Sequence, residues 1–463
     1  MPEFVYRSPM PCSADELCAW HLRPGAFERL APPWERVVVE QWAEPHEVGR
    51  QAILRTRLAP GIWKRWVAEY REFTPGRLFR DVQVSGPFAR FDHRHIFEPA
   101  SETTSWLEDR IDYAPPGGWL GQALGGGWVR RSLEQLFAYR HRTTADDLAA
   151  LSGAGHPRLR VLISGASGLV GSSLVPFLTA GGHDVTRLVR PGHTATGPSL
   201  PWESLEGPSS GGLAEPPFDA VVHLAGEGIA NGRWTAKRKQ RIRDSRVEGT
   251  HRLCSALARL PTPPAVLVST SAVGFYGNQG DRLLEEDQPA GDDFLAQVCR
   301  DWEQATQPAV AAGIRVVQLR YGVILSGKGG ALTRMLPPFR LGIGGPLGNG
   351  RQYLSWIALD DVLSAIAHAM TTQALSGPVN VVAPEAVTNT EFSRTLGRVL
   401  RRPAVLPLPA TAARLALGEL ADALLLASQR VVPVKLVATG FRFRYSDLEE
   451  ALRYQLGRIL IRP

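Results

Sequence analysis

The chain has 463 residues, of which 44% are hydrophobic and 21% charged, and its formal net charge is +7. The length predicts two or three globular domains, and no apolar run is long enough for a membrane span. The start lacks a basic patch followed by an apolar core, which argues against a signal peptide. Four cysteines without a Cys-x-x-Cys pair argue against structural zinc and fit a reducing compartment, so we expect a cytoplasmic protein without membrane contact.

Residues 1–142 are predicted to form an α+β domain rich in strands. The segment EFVYRS predicts a first strand, and Ser13 with Glu16 forms a capping box at the start of a helix. Several segments of alternating polar and apolar residues then predict antiparallel strands, and a longer helical stretch, GGGWVRRSLEQLFAYRHRTT, ends the domain. This order resembles the helix-grip fold of the polyketide-cyclase and birch-pollen-allergen type. The resemblance implies a curved sheet around the last helix and a cavity for an apolar ligand.

Two features of this domain bear on whether it binds a ligand. His93 and His95 would share one face of a strand, but the sequence shows no third ligand for a metal, and we predict paired polar positions and no metal site. Four aromatic residues either line the cavity or pack in the core: Trp63, Trp66, Phe88 and Phe91. Residues 143–158, rich in small residues and glycine, are predicted to connect this domain to the next.

A dinucleotide site is predicted at the start of the second domain. A strand at 159–163 leads into three glycines and a helix at 169–180, the context in which glycines let the backbone approach a pyrophosphate at a helix N-terminus. The residues expected to contact the cofactor are Gly165, Ser167, Gly168, Leu169 and Gly171. The alternative is a glycine-rich turn that binds no ligand.

The end of the second strand, DVTRLVR, bears on the choice of cofactor. An NAD-binding protein usually has an acidic residue there for the ribose hydroxyls. This chain has Arg187 and Arg190, and arginine suits the 2′-phosphate of NADP. We therefore predict NADP, with a chance surface arginine as the alternative in so arginine-rich a chain.

Residues 159 to about 455 resemble the atypical extended short-chain dehydrogenase/reductases of the epimerase-like type. The matching segments are GASGLVG, FDAVVHLAGEGIA, SRVEGT, VSTSAVGFYG, LRYGVIL and LSWIALDDV. The resemblance implies a doubly wound parallel sheet of the Rossmann type over 159–400, followed by a C-terminal segment of unknown function, 401–463, that completes the substrate side. It also implies that the cofactor lies beside Leu224, Ala225 and Gly226.

The catalytic dyad of the wider family, a tyrosine followed four residues later by lysine, is absent. In the corresponding segment, DDFLAQVCRDWE, the two positions fall on Leu295 and Cys299, or on Phe294 and Val298. None of the nine tyrosines has a lysine four residues on. Since that lysine brings the tyrosine pKa nearer the working pH, the usual proton transfer cannot be carried over. We expect this segment to form a helix beside the nicotinamide.

Other residues are then candidates for the chemistry. The resemblance places Thr270 and Ser271 where the family has its hydroxyl group, and Tyr276 follows close to them. We predict Ser271 and Tyr276 as catalytic residues and Thr270 as a substrate contact. Cys299 is more simply a thiol packed in a helix.

Arg351, in the segment GPLGNGRQYLSW, matches a loop that lines the substrate cleft in related proteins and suggests an anion contact, with a surface arginine as the alternative. A basic segment, 233–246, fits a solvated helix face better than a nucleic-acid patch, because Asp244 interrupts it. The prediction is a two-domain NADP-dependent oxidoreductase or epimerase-like protein for a small molecule. The alternative is a non-catalytic, NADP-responsive binding or regulatory protein.

Overall fold

The computed structural model describes residues 2–43, 46–59, 61–151, 158–190, 192, 196–205, 217–230 and 232–460. These residues form two compact units. The first contains the chain up to residue 151 together with 176–182 and 453–460, and the second contains 158–175 and 183–452.

The first unit is built on a seven-stranded antiparallel sheet. Its strands lie in the order β1-β7-β6-β5-β4-β3-β2. Strands β2 to β7 thus pair in chain order, and β1 pairs with β7. The strands are β1 Glu3–Met10, β2 Val37–Gln41, β3 Gln51–Ala59, β4 Ile62–Thr74, β5 Leu78–Ser85, β6 Arg90–Pro99 and β7 Ser105–Ala114. Two helices, α1 Ala14–Leu22 and α2 Ala26–Leu30, separate β1 from β2, and Ser13 caps α1 through the N–H of Glu16, as predicted. The assignment of this unit to the helix-grip class stays a prediction.

A long helix, α3 Gly118–Leu151, follows the sheet and corrects the predicted connection. Residues 143–151 are helical, and 152–157 lie outside the described residues. The small residues that suggested a linker include alanines, which are strong helix formers, and Leu148 is buried in a core cluster with Leu17 and Trp20. Because Leu148 is buried in this cluster, the helix continues through the predicted domain boundary at residue 143.

The aromatic residues predicted to line a cavity divide into two groups. Trp66, Phe88 and Phe91 pack on one another with ring centroids 4.9–5.8 Å apart. Phe91 belongs to a buried core cluster, and the half-buried Trp66 and Phe88 pack against it. Trp63 is exposed, with the guanidinium of Arg55 over its ring. These three rings therefore pack with the core of the domain, which was the alternative to lining a cavity.

The second unit contains the predicted parallel sheet of the Rossmann type. Seven parallel strands lie in the order β10-β9-β8-β11-β12-β14-β18. They are β8 Arg160–Ser164, β9 Asp184–Val189, β10 Ser199–Pro201, β11 Ala220–His223, β12 Val266–Ala272, β14 Arg315–Tyr321 and β18 Gly377–Val381. Apolar residues such as Leu162, Val221 and Leu267 are fully buried at the centre. Because the strands are parallel, their carboxyl ends meet at one edge of the sheet, where α/β proteins bind ligands.

The remaining helices and short strand pairs lie in the second unit, except that residues 176–180 and 453–455 belong to the first. The helices are α4 Gly171–Ala180, α5 Ala236–Ala258, α6 Phe294–Gln304, α7 Gln307–Ala311, α8 Gly330–Arg340, α9 Leu359–Thr371, α10 Asn389–Leu400, α11 Ala410–Leu417, α12 Val434–Ala438 and α13 Leu448–Gln455, with single turns of 3₁₀ helix at Trp202–Leu205 and Val273–Tyr276 and a π-helical turn at Ala421–Leu426. The strand pairs are β13 Leu283–Leu284 with β20 Arg430–Val431, β15 Val323–Leu325 with β17 Trp356–Ala358, and β16 Tyr353–Leu354 with β19 Val387–Thr388.

The last described residues belong to the first unit. The ring of Tyr454 packs on that of Tyr139, with centroids 4.9 Å apart, and the backbone carbonyl of Ile459 accepts a hydrogen bond from Gln135. The segment predicted as one piece, 401–463, therefore divides near residue 452. Within the described part of the chain, no helix has both the length and the apolar character needed to cross a membrane.

Candidate nucleotide site and catalytic positions

The glycine turn after β8 is closed by backbone contacts that exclude side chains. Gly165 has a φ of 72°, and a Cβ atom there would lie 2.6 Å from the carbonyl carbon of Leu224. A Cβ atom at Gly171 would lie 2.3 Å from the carbonyl oxygen of Gly165. Both positions therefore require glycine for the fold of the turn itself.

Gly168 differs from these two glycines. A Cβ atom there would meet only the carbonyl oxygen of Gly165, at 3.4 Å, which is ordinary van der Waals contact. Ser167 and Gly168 are exposed, while Leu169 is half-buried and faces Gly329. Helix α4 begins at Gly171 and not at 169, because the preceding residues form the turn that Gly168 closes by donating to the carbonyl of Gly165.

A buried chain of hydrogen bonds fixes the strand ends on either side of this turn. The hydroxyl of Ser164 lies 2.6 Å from Nδ1 of His223, and Nε2 of His223 lies 2.9 Å from the hydroxyl of Thr250, which also accepts a hydrogen bond from Trp302. Burial lowers the pKa of His223 to about 4, so its ring is neutral at physiological pH. Sequence reasoning missed this role, although the histidine lies in the conspicuous HLAG segment.

The loop after β11 carries the next predicted cofactor residues. The N–H of Leu224 donates to the carbonyl of Ser164, which joins this loop to the end of β8, and Ala225 is half-buried beside it. Gly226 is exposed, and a Cβ atom there would lie 3.4 Å from the guanidinium carbon of Arg246. Leu224 and Ala225 thus adjoin the glycine turn, since they form the closest neighbours of Gly165.

The two arginines proposed to contact a 2′-phosphate lie on the neighbouring strand. In the register of β8 and β9, Leu188 lies opposite Ser164, the last residue before the glycine turn. Arg190 follows directly after β9 and is exposed, whereas Arg187 is half-buried within the strand. The end of β9 therefore brings Arg190 to the same edge of the sheet as the glycine turn.

Ser271, predicted to be catalytic, lies in β12 and is 1% exposed. Its hydroxyl donates to Oε1 of Glu303 over 2.6 Å. Arg320 holds the same carboxylate with two hydrogen bonds of 2.8 Å, in the bidentate geometry that strengthens such pairs. The Ser271 hydroxyl is thus engaged in a buried ion pair.

Tyr276, the second predicted catalytic residue, is joined to the same arginine. Its hydroxyl donates to Oδ1 of Asn380 over 2.7 Å and accepts from Nη1 of Arg320 over 2.9 Å. The ring is 0% exposed, and burial raises the pKa of the phenol although Arg320 opposes the shift. Ser271 and Tyr276 are therefore brought together through two residues that sequence reasoning missed, Glu303 and Arg320, and we call these four residues with Asn380 the β12 network.

Thr270, the predicted substrate contact, lies outside the β12 network. It is half-buried, and its hydroxyl donates to the carbonyl of His223 over 2.9 Å. This places Thr270 between the ends of β11 and β12. Its side chain thereby supports the loop that carries Leu224.

The segment predicted to form a helix beside the cofactor is helix α6. Asp293 caps it, with its carboxylate accepting from the N–H of Ala296 over 2.9 Å. Leu295 and Cys299 are buried and face the 3₁₀ turn, where a Cβ atom at Gly274 would lie 3.6 Å from Cβ of Leu295 and 3.9 Å from the sulfur of Cys299. Burial raises the pKa of the Cys299 thiol to about 12, so it stays protonated near neutral pH.

Arg351 lines a cleft of about 490 Å³ within the second unit. The other lining residues are Gly280, Asp281, Gly348, Asn349, Gln352, Ala410, Arg414, Leu426 and Ser428. The lining does not include Thr270 or Ser271, so the structure does not place the predicted substrate contacts in one cleft. The C-terminal segment contributes to the wall through α11 and the π-helical turn.

The basic segment 233–246 lies mainly on α5. Its charges pair with acidic side chains: Arg238 with Glu227, and Arg243 with Asp301, each over 3.0 Å. These pairs agree with a solvated helix face and leave less unbalanced charge for nucleic-acid phosphates.

Two family models match the second unit. The NAD dependent epimerase/dehydratase family matches residues 161–382, and a domain of unknown function, DUF1731, matches residues 408–455. The predicted C-terminal segment of unknown function thus has a counterpart in an established, uncharacterised domain.

Relatives share the organisation of this unit. An epimerase family protein of Mycobacterium bovis is 46% identical over 301 residues, which are 64% of this chain and 98% of the relative. The solved human epimerase family protein SDR39U1, whose crystal contains NADPH, is 35% identical with a TM-score of 0.60 over 64% of this chain and 99% of that one. A nucleoside-diphosphate sugar epimerase structure from Corynebacterium glutamicum is 33% identical with a TM-score of 0.78 and covers 98% of this chain and 90% of its own, so both units have counterparts there. The chain belongs to the NAD-dependent epimerase/dehydratase family.

Proposed function

We propose that the second unit binds NADPH and transfers hydride to or from a small molecule with a hydroxyl or carbonyl group. The observation that carries this proposal is the glycine turn after β8, with exposed Ser167 and Gly168 at the N-terminus of α4. Free N–H groups and the partial positive charge of a helix N-terminus favour a pyrophosphate at this place.

The preference for NADPH rests on the charge at the end of β9. Arg190 is exposed there and can meet a 2′-phosphate with charge-assisted hydrogen bonds, which a ribose hydroxyl cannot match. The human relative crystallised with NADPH is 35% identical to this chain and supports the same preference. Neighbours solved with NAD have lower TM-scores, 0.50–0.52, and are only 20–21% identical.

The proton that accompanies the hydride has no ordinary donor. Ser271 and Tyr276 remain the candidates, but the hydroxyls of both are held in the β12 network. The raised pKa of Tyr276 makes its phenolate scarce at neutral pH. We therefore propose slow turnover, with the proton passing through Tyr276, Ser271, the substrate itself or water, and a loss of the order of the 10²- to 10⁴-fold that general acid–base catalysis supplies.

The substrate is proposed to carry an anionic group. The cleft of about 490 Å³ exposes Arg351 beside the amide of Asn349, and both can contact a phosphate or carboxylate. Arg414, also in the lining, is paired with Asp422, and Asp281 is the one carboxylate among the described residues of the lining. The C-terminal domain supplies part of this wall, which gives it a role in substrate binding. For the first unit, the helix-grip assignment and an apolar ligand remain our proposals.

A second candidate function is NADPH binding without turnover. The observation that favours it is that the hydroxyls of both predicted catalytic residues have partners inside the protein. The sequence adds that the dyad positions fall on Leu295 and Cys299, or on Phe294 and Val298. Such a protein would sense NADPH and not consume it.

The experiment compares cofactor affinity in two variants. Calorimetry should show NADPH binding more tightly than NADH to the unaltered protein, and Arg190→Ala should weaken NADPH binding about tenfold, or about 1.4 kcal/mol, with little effect on NADH. Arg442→Ala, an exposed arginine of the same unit, is the matched control and should bind as the unaltered protein does. Equal affinities for the two cofactors, unchanged in Arg190→Ala, would remove the NADPH assignment.

Turnover is tested separately with NADPH deuterated at the transferred position. The protein is incubated with this cofactor and a panel of nucleotide sugars, aldehydes and ketones, and products are examined by mass spectrometry. Deuterium in a product supports hydride transfer, whereas tight NADPH binding without transfer to any compound supports the sensing function.

A further inference from the structure

A cluster of histidines and aspartates lies inside the first unit, far in sequence from the nucleotide turn. His93 and His95 are two residues apart on β6 and so share one face of the sheet. In the antiparallel register, Asp81 of β5 lies opposite His93, and Asp109 of β7 lies opposite His95. Sheet pairing thus supplies the partners that the sequence alone did not show.

Three ligand atoms of this cluster point at one another. Oδ1 of Asp81 lies 3.7 Å from Nδ1 of His93 and 3.6 Å from Nε2 of His95. One ligand atom from each of the three residues lies within 4.8 Å of the other two. A tetrahedral ion with bonds of about 2.0–2.1 Å holds its ligand atoms roughly 3.4 Å apart. Closing the site around an ion would require only small rotations of the side chains.

Asp109 fixes which nitrogen of each histidine ring faces Asp81. Its Oδ1 lies 2.7 Å from Nε2 of His93 and 2.8 Å from Nδ1 of His95, and its Oδ2 lies 2.6 Å from Nε2 of His141. A carboxylate accepts hydrogen bonds, so a ring that is neutral donates its N–H group to Asp109 and turns its lone pair toward Asp81, whereas a protonated ring donates to both aspartates. Metal-binding histidines typically have this second contact to a carboxylate.

The resulting arrangement places two lone pairs and a carboxylate oxygen face to face. When both rings are neutral, these three acceptors repel one another, and either a proton on one ring or a metal cation between them removes the repulsion. The surroundings make the repulsion costly, because the side chain of His93 is 5% exposed and that of Asp109 is 4% exposed. Asp81, at 16%, is the most exposed of the three ligands and gives the site an opening.

We propose that Asp81, His93 and His95 bind a divalent first-row transition metal ion, with Asp109 holding both imidazole rings in place. Imidazole and carboxylate ligands suit such ions, and three protein ligands leave a coordination position for water or a small molecule. This metal site belongs to the first unit and is independent of the proposed NADPH function. It gives that unit a chemical role besides packing.

The test measures metal binding by the full-length protein, purified without a histidine tag. After removal of metals with a chelator, titration with Zn²⁺ in a calorimeter should show about one site per chain, and Co²⁺ should give a visible absorption band from an ordered site. His95→Gln and Asp81→Asn should each abolish the tight Zn²⁺ site. His46→Gln, an exposed histidine of the same unit, is the matched control and should keep it.

A graded variant separates the metal site from general damage. Asp109→Asn leaves all three ligands in place but removes the charge that holds the rings, so Zn²⁺ binding should weaken about 10- to 100-fold. Circular dichroism shows which variants fold, and Asp81→Asn, at the more exposed ligand, decides the matter if His95→Gln does not fold. The proposal is overturned if the unaltered protein binds neither ion, or if folded Asp81→Asn binds Zn²⁺ as tightly as His46→Gln.

Discussion

Two strand ends of the same parallel sheet are built in opposite ways. After β8, the backbone turns through Gly165 and presents Ser167 and Gly168 to solvent. At the end of β12, Ser271 and the following Tyr276 are buried, and their hydroxyls are bonded within the β12 network. The backbone of the first end is accessible from solvent, whereas the second end has its hydroxyl groups satisfied by the protein.

The difference separates two properties that the family usually combines. A cofactor turn needs accessible N–H groups and room for a pyrophosphate. Proton transfer needs a titratable group that reaches the substrate at a suitable pKa. We propose that this chain retains the first property, whereas a bidentate Arg320–Glu303 ion pair holds the predicted catalytic residues.

The largest expected effect comes from breaking the β12 network at its centre. Arg320→Met leaves the nearly buried carboxylate of Glu303 without its partner, and such a loss costs about 3–5 kcal/mol of the free energy of unfolding. Urea unfolding measures this change. The double variant Arg320→Met/Glu303→Gln removes both charges and should recover much of the stability. If Arg320→Met unfolds at the same urea concentration as the unaltered protein, the network contributes nothing and the comparison fails.

The second largest effect, on NADPH binding, is expected at Gly168 in the turn after β8. Gly168→Val should leave the unfolding transition nearly unchanged, because a Cβ atom at this position meets only one atom, at 3.4 Å. It should weaken NADPH binding by at least about 100-fold, or about 2.7 kcal/mol, because the side chain fills the space of the pyrophosphate. Calorimetry with NADPH measures this loss.

Gly171→Ala provides the contrast, since its methyl group would lie 2.3 Å from the carbonyl oxygen of Gly165 and should lower stability as well as binding. A Gly168→Val protein that binds NADPH normally would show that the turn after β8 does not hold the pyrophosphate.

The turn after β8 could be predicted from sequence because all its determinants are local. A strand, spaced glycines and a helix follow one another within a short segment, and Gly165 and Gly171 each have a backbone reason to be there. The start of α4 was two residues off, because residues 169 and 170 belong to the turn. The same local logic failed at residues 143–151, where alanine-rich sequence suggested a linker and the packing of Leu148 extended the helix.

The partners of the predicted catalytic residues could not be found in this way. Glu303, Arg320 and Asn380 come from α6, β14 and β18, and only the strand order brings them to Tyr276 and Ser271. The histidine cluster of the first unit shows the same limit. His93 and His95 are visible as a pair on one strand, but Asp81 and Asp109 become partners only through the register of the neighbouring strands.

The smallest effect is expected at Cys299, which lies near the buried end of β12 and is the alternative catalyst to be tested. Cys299 is at one of the two positions predicted for the family's lysine, but burial raises its pKa to about 12, so the thiolate is scarce at neutral pH. Cys299→Ser keeps the size of the side chain and should change turnover less than about twofold, measured on a compound that accepts deuterium from NADPH. Ser271→Ala and Tyr276→Phe should each reduce the same rate more, because each removes a hydroxyl from the only network that joins the predicted proton donors in the described part of the second unit. If Cys299→Ser abolished turnover while the other two variants stayed active, the thiol would be the catalyst, and the closed end of the sheet would have to open during the reaction.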